Sequence, residues 1–263
     1  MSDFILLGSV GAISGLLAGL FGIGGAVVVV PALIFFFELS GMGELSTKFA
    51  IGTSFASILF TGLSSSFTHY KRKAIDCEIL YSIAPFIILG TFIGATIAGK
   101  MDGPLLKIFF GFLEIAVAII MFFRIYERET YEVSAVWKWA IYIVGGVFIG
   151  TIASLLGIGG GTMIVPLLVL LLYKRTSVAI GTASAIGVII SFFGTIGFIY
   201  QGRQYLSDMT FGFVVPQTAL LIGIAGATTA PIGAMVAHRI DTLILSRLFS
   251  FVLIVIGLLL IVP

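Results

Sequence analysis

Two stretches of the chain carry one pattern: GLLAGLFGIGGAVVVVPAL at residues 15–33 and GTIASLLGIGGGTMIVPLL at residues 150–168. Aligned, Gly22, Ile23, Gly24, Gly25 and Pro31 fall on Gly157, Ile158, Gly159, Gly160 and Pro166. Each stretch lies inside an uncharged run, 34 residues long at 4–37 and 35 at 139–173. Straight helices of that length would measure roughly 50 Å, whereas about 20 residues cross a hydrocarbon core. Both runs must break, and the glycine clusters are where the break falls.

Composition says what surrounds these helices. Of 263 residues 59% are hydrophobic, 33 are glycine and only 10% are charged, with a mean hydropathy of +1.22. Ordinary soluble domains carry roughly 25% charged residues, and an apolar exterior of this extent would aggregate in water. Lipid is the solvent that fits. A formal charge of +2 supplies no basic field for nucleic acid. Cys77 is the single cysteine, so no intrachain disulfide forms, and the absence of Asn removes any N-glycosylation acceptor. The opening Met-Ser-Asp-Phe has no basic n-region and reads as the start of a membrane segment rather than a cleaved signal.

Further uncharged runs lie at 49–70, 79–99, 176–202, 209–238 and 248–263, and 108–123 is interrupted only by Glu114. Each suits one crossing, the run at 209–238 if it is tilted or kinked around Pro231. The repeat extends beyond the glycines: Ala-Ile-Gly-Thr at 50–53 recurs at 179–182, Pro85 pairs with Pro216, and Gly94–Asp102 echoes Gly233–Asp241. The expected fold is therefore an all-α polytopic membrane protein built of two repeats, residues 1–123 and 139–263, joined by a cytoplasmic linker at 124–138.

Basic residues collect in cytoplasmic loops. If each long run crossed once, the 14 basic residues would divide evenly. If each folds back at its glycines, Lys48, Lys100, Lys107 and Arg203 share one side and the other ten the opposite side. That asymmetry puts loops 71–78, 124–138, 174–176 and 239–247 in the cytoplasm and both termini outside. Each repeat is then a Gly-broken hairpin plus three transmembrane helices, and the two repeats have inverted topology. Whether a hairpin is re-entrant or made of two full spans stays open.

The paired GLFGIGGA…P and LLGIGGG…VP motifs, the following AIGT segments and the GA…A(K/R) closures resemble the TauE/SafE family of membrane permeases, over nearly the whole chain. The resemblance implies transport of a small anion across the cell (inner) membrane: sulfite, sulfoacetate or a related organosulfonate. No cofactor is expected. A passive anion channel, or a non-transporting membrane enzyme or structural protein, is the alternative.

Inverted hairpins would bring their turns together near mid-membrane. Non-helical backbone at that depth is tolerated where it lines a polar cavity, and unpaired N–H groups opening the returning helix suit an anion. None of the 14 basic side chains lies deep in an apolar run, so N–H dipoles and hydroxyls would have to hold the substrate. The candidate binding residues are Gly22, Gly24, Gly25, Gly157, Gly159, Gly160, Gly161 and Thr162 at the turns, with Thr53, Ser54, Thr182, Ser184 and Gln217. The pairs Gly15/Gly19, Gly90/Gly94 and Gly146/Gly150 read instead as close helix packing.

Glu114 is the one acid inside a membrane segment. It reads as a proton carrier or as a neutral acid that hydrogen-bonds a neighbour; its repeat counterpart is Ile254. His69 and His238 lie at run ends and read as interfacial anchors. The P-loop-like Gly94–Lys100 is followed by Met101 where magnesium binding needs Ser or Thr, and Gly157–Thr162 misses the last glycine of a dinucleotide motif. No metal-ligand cluster or nucleophile elbow appears. The expected partners are a small anion and the bilayer, with a coupling proton or ion and a homodimer left open.

Overall fold

The computed structural model describes residues 2–22, 24–124, 133–237 and 242–261. Over them the chain is a succession of helices: α1 (Ser2–Phe21), α2 (Ala26–Leu39), α3 (Ser46–Lys71), α4 (Cys77–Lys100) and α5 (Gly103–Arg124). After the linker come α6 (Ala135–Ala140), which runs through a π-helical Ile141–Gly145 into α7 (Gly146–Leu156), and then α8 (Gly161–Leu170), α9 (Thr176–Gln201), α10 (Pro216–Ala237) and α11 (Thr242–Ile261). Among the described residues there is no strand, only an isolated bridge between Phe211 and Val214. Among the described residues, seven helical segments are long and apolar enough to cross a membrane, α6 and α7 forming one of them. Of the expected linker, residues 125–132 lie outside the described residues, as do His238, Arg239, Ile240 and Asp241 of the closing echo.

Both long runs break at their glycines. Gly22, Gly25, Gly157 and Gly160 adopt φ between +68° and +76°, a backbone state that costs a side-chain-bearing residue about 1–2 kcal/mol. Gly24 shares it at +73°, whereas its counterpart Gly159 has no positive φ. The chain then reverses. Asp3 and Leu6 at the start of α1 lie beside Leu39 and Ser40 at the end of α2, and Trp137 lies beside Leu171 just past α8. The returning arms are short, 14 residues in α2 and 10 in α8, or roughly 21 and 15 Å against a core of about 30 Å. Each hairpin is thus a long arm and a return that starts inside the bundle. Pro31 and Pro166 lie inside the short arms and remove the N–H that would pair with the carbonyl four residues back.

The two halves interleave. Gly11, Gly15 and Gly19 carry α1 alongside α10 in parallel, against Ile222, Gly226 and Ala230 in turn. Gly90 and Gly94 do the same for α4 and α7, against Val147 and Thr151. These glycines have the packing role expected of them: a Cβ on Gly15 or Gly90 would run into a backbone carbonyl of the partner helix. By contrast α3 and α9 are antiparallel, with Phe55 against Gly194, Gly62 against Val188 and Ser65 against Ser184. So are α5 and α11: Gly111 meets Gly257 and Ile261, and Arg247 stacks over Phe122.

Polar contacts mark the two ends. At one, Lys107 pairs with Glu38 at 2.9 Å and Lys48 donates to the Gly99 carbonyl at 2.9 Å, beside a cluster of Phe37, Phe49, Tyr205 and Phe213. At the other, Lys174 pairs with Asp76 at 2.7 Å. Lys48 and Lys107 therefore share one end of the bundle, away from Lys174.

Candidate functional site

The two turns meet in the middle of the bundle. A Cβ on Gly24 would lie 3.9 Å from the Gly159 Cα and 2.8 Å from Ile58, halfway along α3. Gly160 faces Ile190, halfway along α9, and Gly25 packs on the Ser14 carbonyl of α1. Two helices therefore begin near one point, each after a left-handed glycine, and no side chain caps either of them. The Gly25 carbonyl accepts from Val28 and Val29, and the Gly160 carbonyl from Met163 and Ile164. The N–H groups ahead of these are the ones an α-helix leaves unpaired, and here they face the bundle interior with a partial positive charge. Among the described residues no Lys or Arg side chain is buried.

Hydroxyls secure the turns from α3. Ser54 donates to the Gly157 carbonyl at 3.2 Å, and Thr61 to the Gly24 carbonyl at 3.3 Å. Ser184 donates to Ser65 at 3.0 Å, both buried. Thr162, in the first turn of α8, is 4% exposed. Thr61 and Ser65 were not among the sequence candidates, yet a signal for them exists. Ser54, Ser57, Thr61, Ser65 and His69 recur at spacings of three and four, one helical face, and all are buried. The positions of α9 that align with them, Ala183, Ile186, Ile190, Gly194 and Phe198, are apolar.

Other candidates lie elsewhere. Thr53 accepts from the Val215 N–H at 3.0 Å, fixing the segment that enters α10. Thr182 accepts from the Asp76 N–H at 2.9 Å, fixing the segment that enters α4. The two AIGT threonines thus have mirrored duties in the entry segments of the opposite half. Gln217 is exposed in the first turn of α10 and does not join the turns. His69 is no interfacial anchor: it is fully buried, its Nε2 3.3 Å from the Gly19 carbonyl, because α1 closes over that face of α3.

Glu114 is 2% exposed, and neither carboxyl oxygen has a hydrogen-bond partner among the described residues. It lines a narrow cleft with Val27, Leu113, Val117, Leu156, Ile158, Thr162 and Leu253. Val27 and Thr162 stand at matching places in the first turns of α2 and α8, so the acid borders the place where the two helices begin. Its sequence counterpart on α11, Ile254, is half-buried and uncharged.

Membrane-length helices enclosing two broken hairpins, with buried backbone at their meeting point, define a polytopic membrane protein of the solute-carrying kind. The chain belongs to the TauE/SafE family: the family model described as sulfite exporter TauE/SafE matches residues 7–260. A probable membrane transporter protein of Haemophilus influenzae is 32% identical over 98% of both chains. One of Methanocaldococcus jannaschii is 33% identical over 96% of this chain and 93% of its own. One of Bacillus subtilis is 27% identical over 97% and 96%. No solved structure gives a significant match. The protein is a multi-pass membrane transporter of this family.

Proposed function

We propose that the protein is a secondary transporter for a small oxyanion, namely sulfite, sulfoacetate or a related organosulfonate, held where the two glycine turns meet. The observation that carries this reading is the convergence of two uncapped helix N-termini at Gly24–Gly25 and Gly159–Gly160, with no buried Lys or Arg among the described residues. Such a site offers an anion N–H groups and partial charge without a fixed cation that would hold it too tightly to release. From α3 the hydroxyls of Ser54 and Thr61 hold the two turns in place by donating to the Gly157 and Gly24 carbonyls. The antiparallel pairing of α3 with α9 and of α5 with α11 supports inverted repeats 1–123 and 139–263 around a central site. The distribution of basic residues favours a cytoplasmic (inner) membrane location with both termini outside.

Two measurements test this. Ligand binding to the folded state alone raises stability by RT ln(1 + [L]/Kd). The purified protein should therefore melt higher with sulfite, thiosulfate or sulfoacetate than with taurine, sulfate or simple carboxylates. In proteoliposomes, labelled sulfoacetate should show saturable counterflow. Flux that neither saturates nor exchanges would make the protein a channel, and no stabilisation by any sulfur oxyanion would end the substrate assignment.

A further inference from the structure

We infer that Glu114 belongs to the anion site itself, and that its carboxyl proton is donated to the bound oxyanion, so that one proton crosses with each anion. This rests on the anion site proposed at the glycine turns. Three observations lead to it. The first is position: Glu114 shares its cleft with Val27 and Thr162, the first-turn residues of the two helices that converge there, and with Ile158 of the second turn. The second is the state of the side chain. Both oxygens are buried without a hydrogen-bond partner among the described residues, whereas a glutamate held in place by a neighbour would have one.

The third is the surroundings. From α2, α7, the second turn, α8 and α11 the cleft receives Val27, Leu156, Ile158, Thr162 and Leu253, none charged or titratable. The charged and titratable groups on the elements around α5 lie toward its two ends: Glu44 and Lys48 by Gly103 and Gly99, and Glu38 on Lys107, at one; Arg247 over Phe122, with His69 and Lys71 in the last turn of α3, at the other. An ionised Glu114 there has neither solvent nor counter-charge, and it would repel an anion at the turns. A protonated Glu114 instead offers the anion an O–H donor beside the uncapped N–H groups. Anion and proton thus favour each other's binding, a reciprocal linkage. The proton is taken from one aqueous face and released to the other with the anion, and no bond other than the carboxyl O–H is made or broken. With one proton a monoanion crosses without net charge movement, and sulfoacetate, a dianion between pH 5.5 and pH 8, crosses with one net negative charge.

The experiment measures sulfoacetate binding to the detergent-purified protein from pH 5.5 to pH 8. It also measures proton uptake on binding, from calorimetry in two buffers of different ionisation enthalpy. The wild type should bind more weakly as pH rises, approaching tenfold per unit where Glu114 loses its proton, with up to one proton taken up per anion in that range. Glu114→Gln keeps a neutral donor that cannot ionise, and its affinity should not vary with pH. Glu114→Leu, which keeps volume but donates nothing, should bind at least tenfold more weakly at pH 5.5. Wild-type binding with no pH dependence and no proton uptake overturns the inference and leaves the anion site standing, as does a pH slope that persists in Glu114→Gln. If the wild type binds neither sulfoacetate nor sulfite at any pH, the site reading itself fails. The wild-type measurement decides the matter even if neither variant folds.

Discussion

Lys174 Nζ lies 2.7 Å from the Asp76 carboxylate, tying the turn between α8 and α9 to the turn between α3 and α4. Asp76 also caps α4 by accepting from the Ile79 N–H at 3.1 Å. Burial alone would raise its pKa. The hydrogen bond from Lys174, those from the Ile79 and Glu78 N–H groups and the Lys174 charge outweigh that effect and hold it below the usual aspartate value. The stabilisation it gives is therefore complete above about pH 4, the unfolded aspartate range, and fades as pH falls through the lower folded-state value.

Asp76→Ala should accordingly destabilise the protein by about 1–2 kcal/mol, the sum of a lost helix cap and a half-exposed ion pair. Lys174→Ala should cost less, about 0.5 kcal/mol. In thermal melts the gap between Asp76→Ala and wild type should stay constant from pH 8 to pH 5 and narrow below pH 4. A gap that widens on acidification would contradict the assigned direction.

Two glycines of α1 should respond in opposite senses to the same change. A Cβ on Gly8 would meet nothing within 4 Å, so Gly8→Ala should stabilise the helix slightly, by up to about 1 kcal/mol. A Cβ on Gly15 would strike the Gly226 carbonyl and the Thr229 hydroxyl. Gly15→Ala must push α1 away from α10 and should cost about 1–3 kcal/mol or more. Yield and melting temperature of the two variants provide the comparison.

Gly24 and Gly25 also differ. A Cβ on Gly25 would hit the Ser14 backbone, whereas one on Gly24 would meet chiefly the end of the Ile58 side chain. Both have positive φ, so Gly24→Ala should cost about 1–2 kcal/mol and Gly25→Ala distinctly more. Folded Gly24→Ala should lose sulfoacetate binding at least tenfold, since its methyl group lies where the oxyanion approaches the backbone. Normal affinity in a folded Gly24→Ala or Gly24→Val variant would remove the first turn from the site.

Cysteines at positions 3 and 40 should react together with an impermeant thiol reagent from outside the cell, because both ends of the first hairpin lie at one end of the bundle. Exposed Cys77 should react only after permeabilisation. Labelling of Cys77 from outside would reverse the orientation.

The breaks in the helices were readable because a run of 34 or 35 uncharged residues has no single-helix solution in a bilayer, and the glycines supply the only conformational exit. The sidedness of Lys48, Lys107 and Lys174 was readable for a related reason: charges must leave the core, so few arrangements remain. What could not be read was the facing of hydroxyls. Thr53 and Ser54 are neighbours on α3, yet one receives the Val215 N–H and the other reaches the Gly157 carbonyl. That outcome depends on helix rotation set by glycine contacts with distant helices. Gln217 was misplaced because a polar side chain after a proline reads alike at a helix's buried middle and at its exposed start. His69 was misplaced because a run end looks interfacial until α1 covers it.

The pairing of α1 with α10 also bears on how the protein is made. Gly15 and Gly226 stand about two hundred residues apart in the chain, and at 5–20 residues per second roughly 10–40 s of synthesis separate them. Throughout that interval the glycine face of α1 has no permanent neighbour. It must be sheltered by the insertion machinery or by lipid until α10 is released, and a ribosome stalled anywhere in the second half would leave a nascent chain with that face still bare.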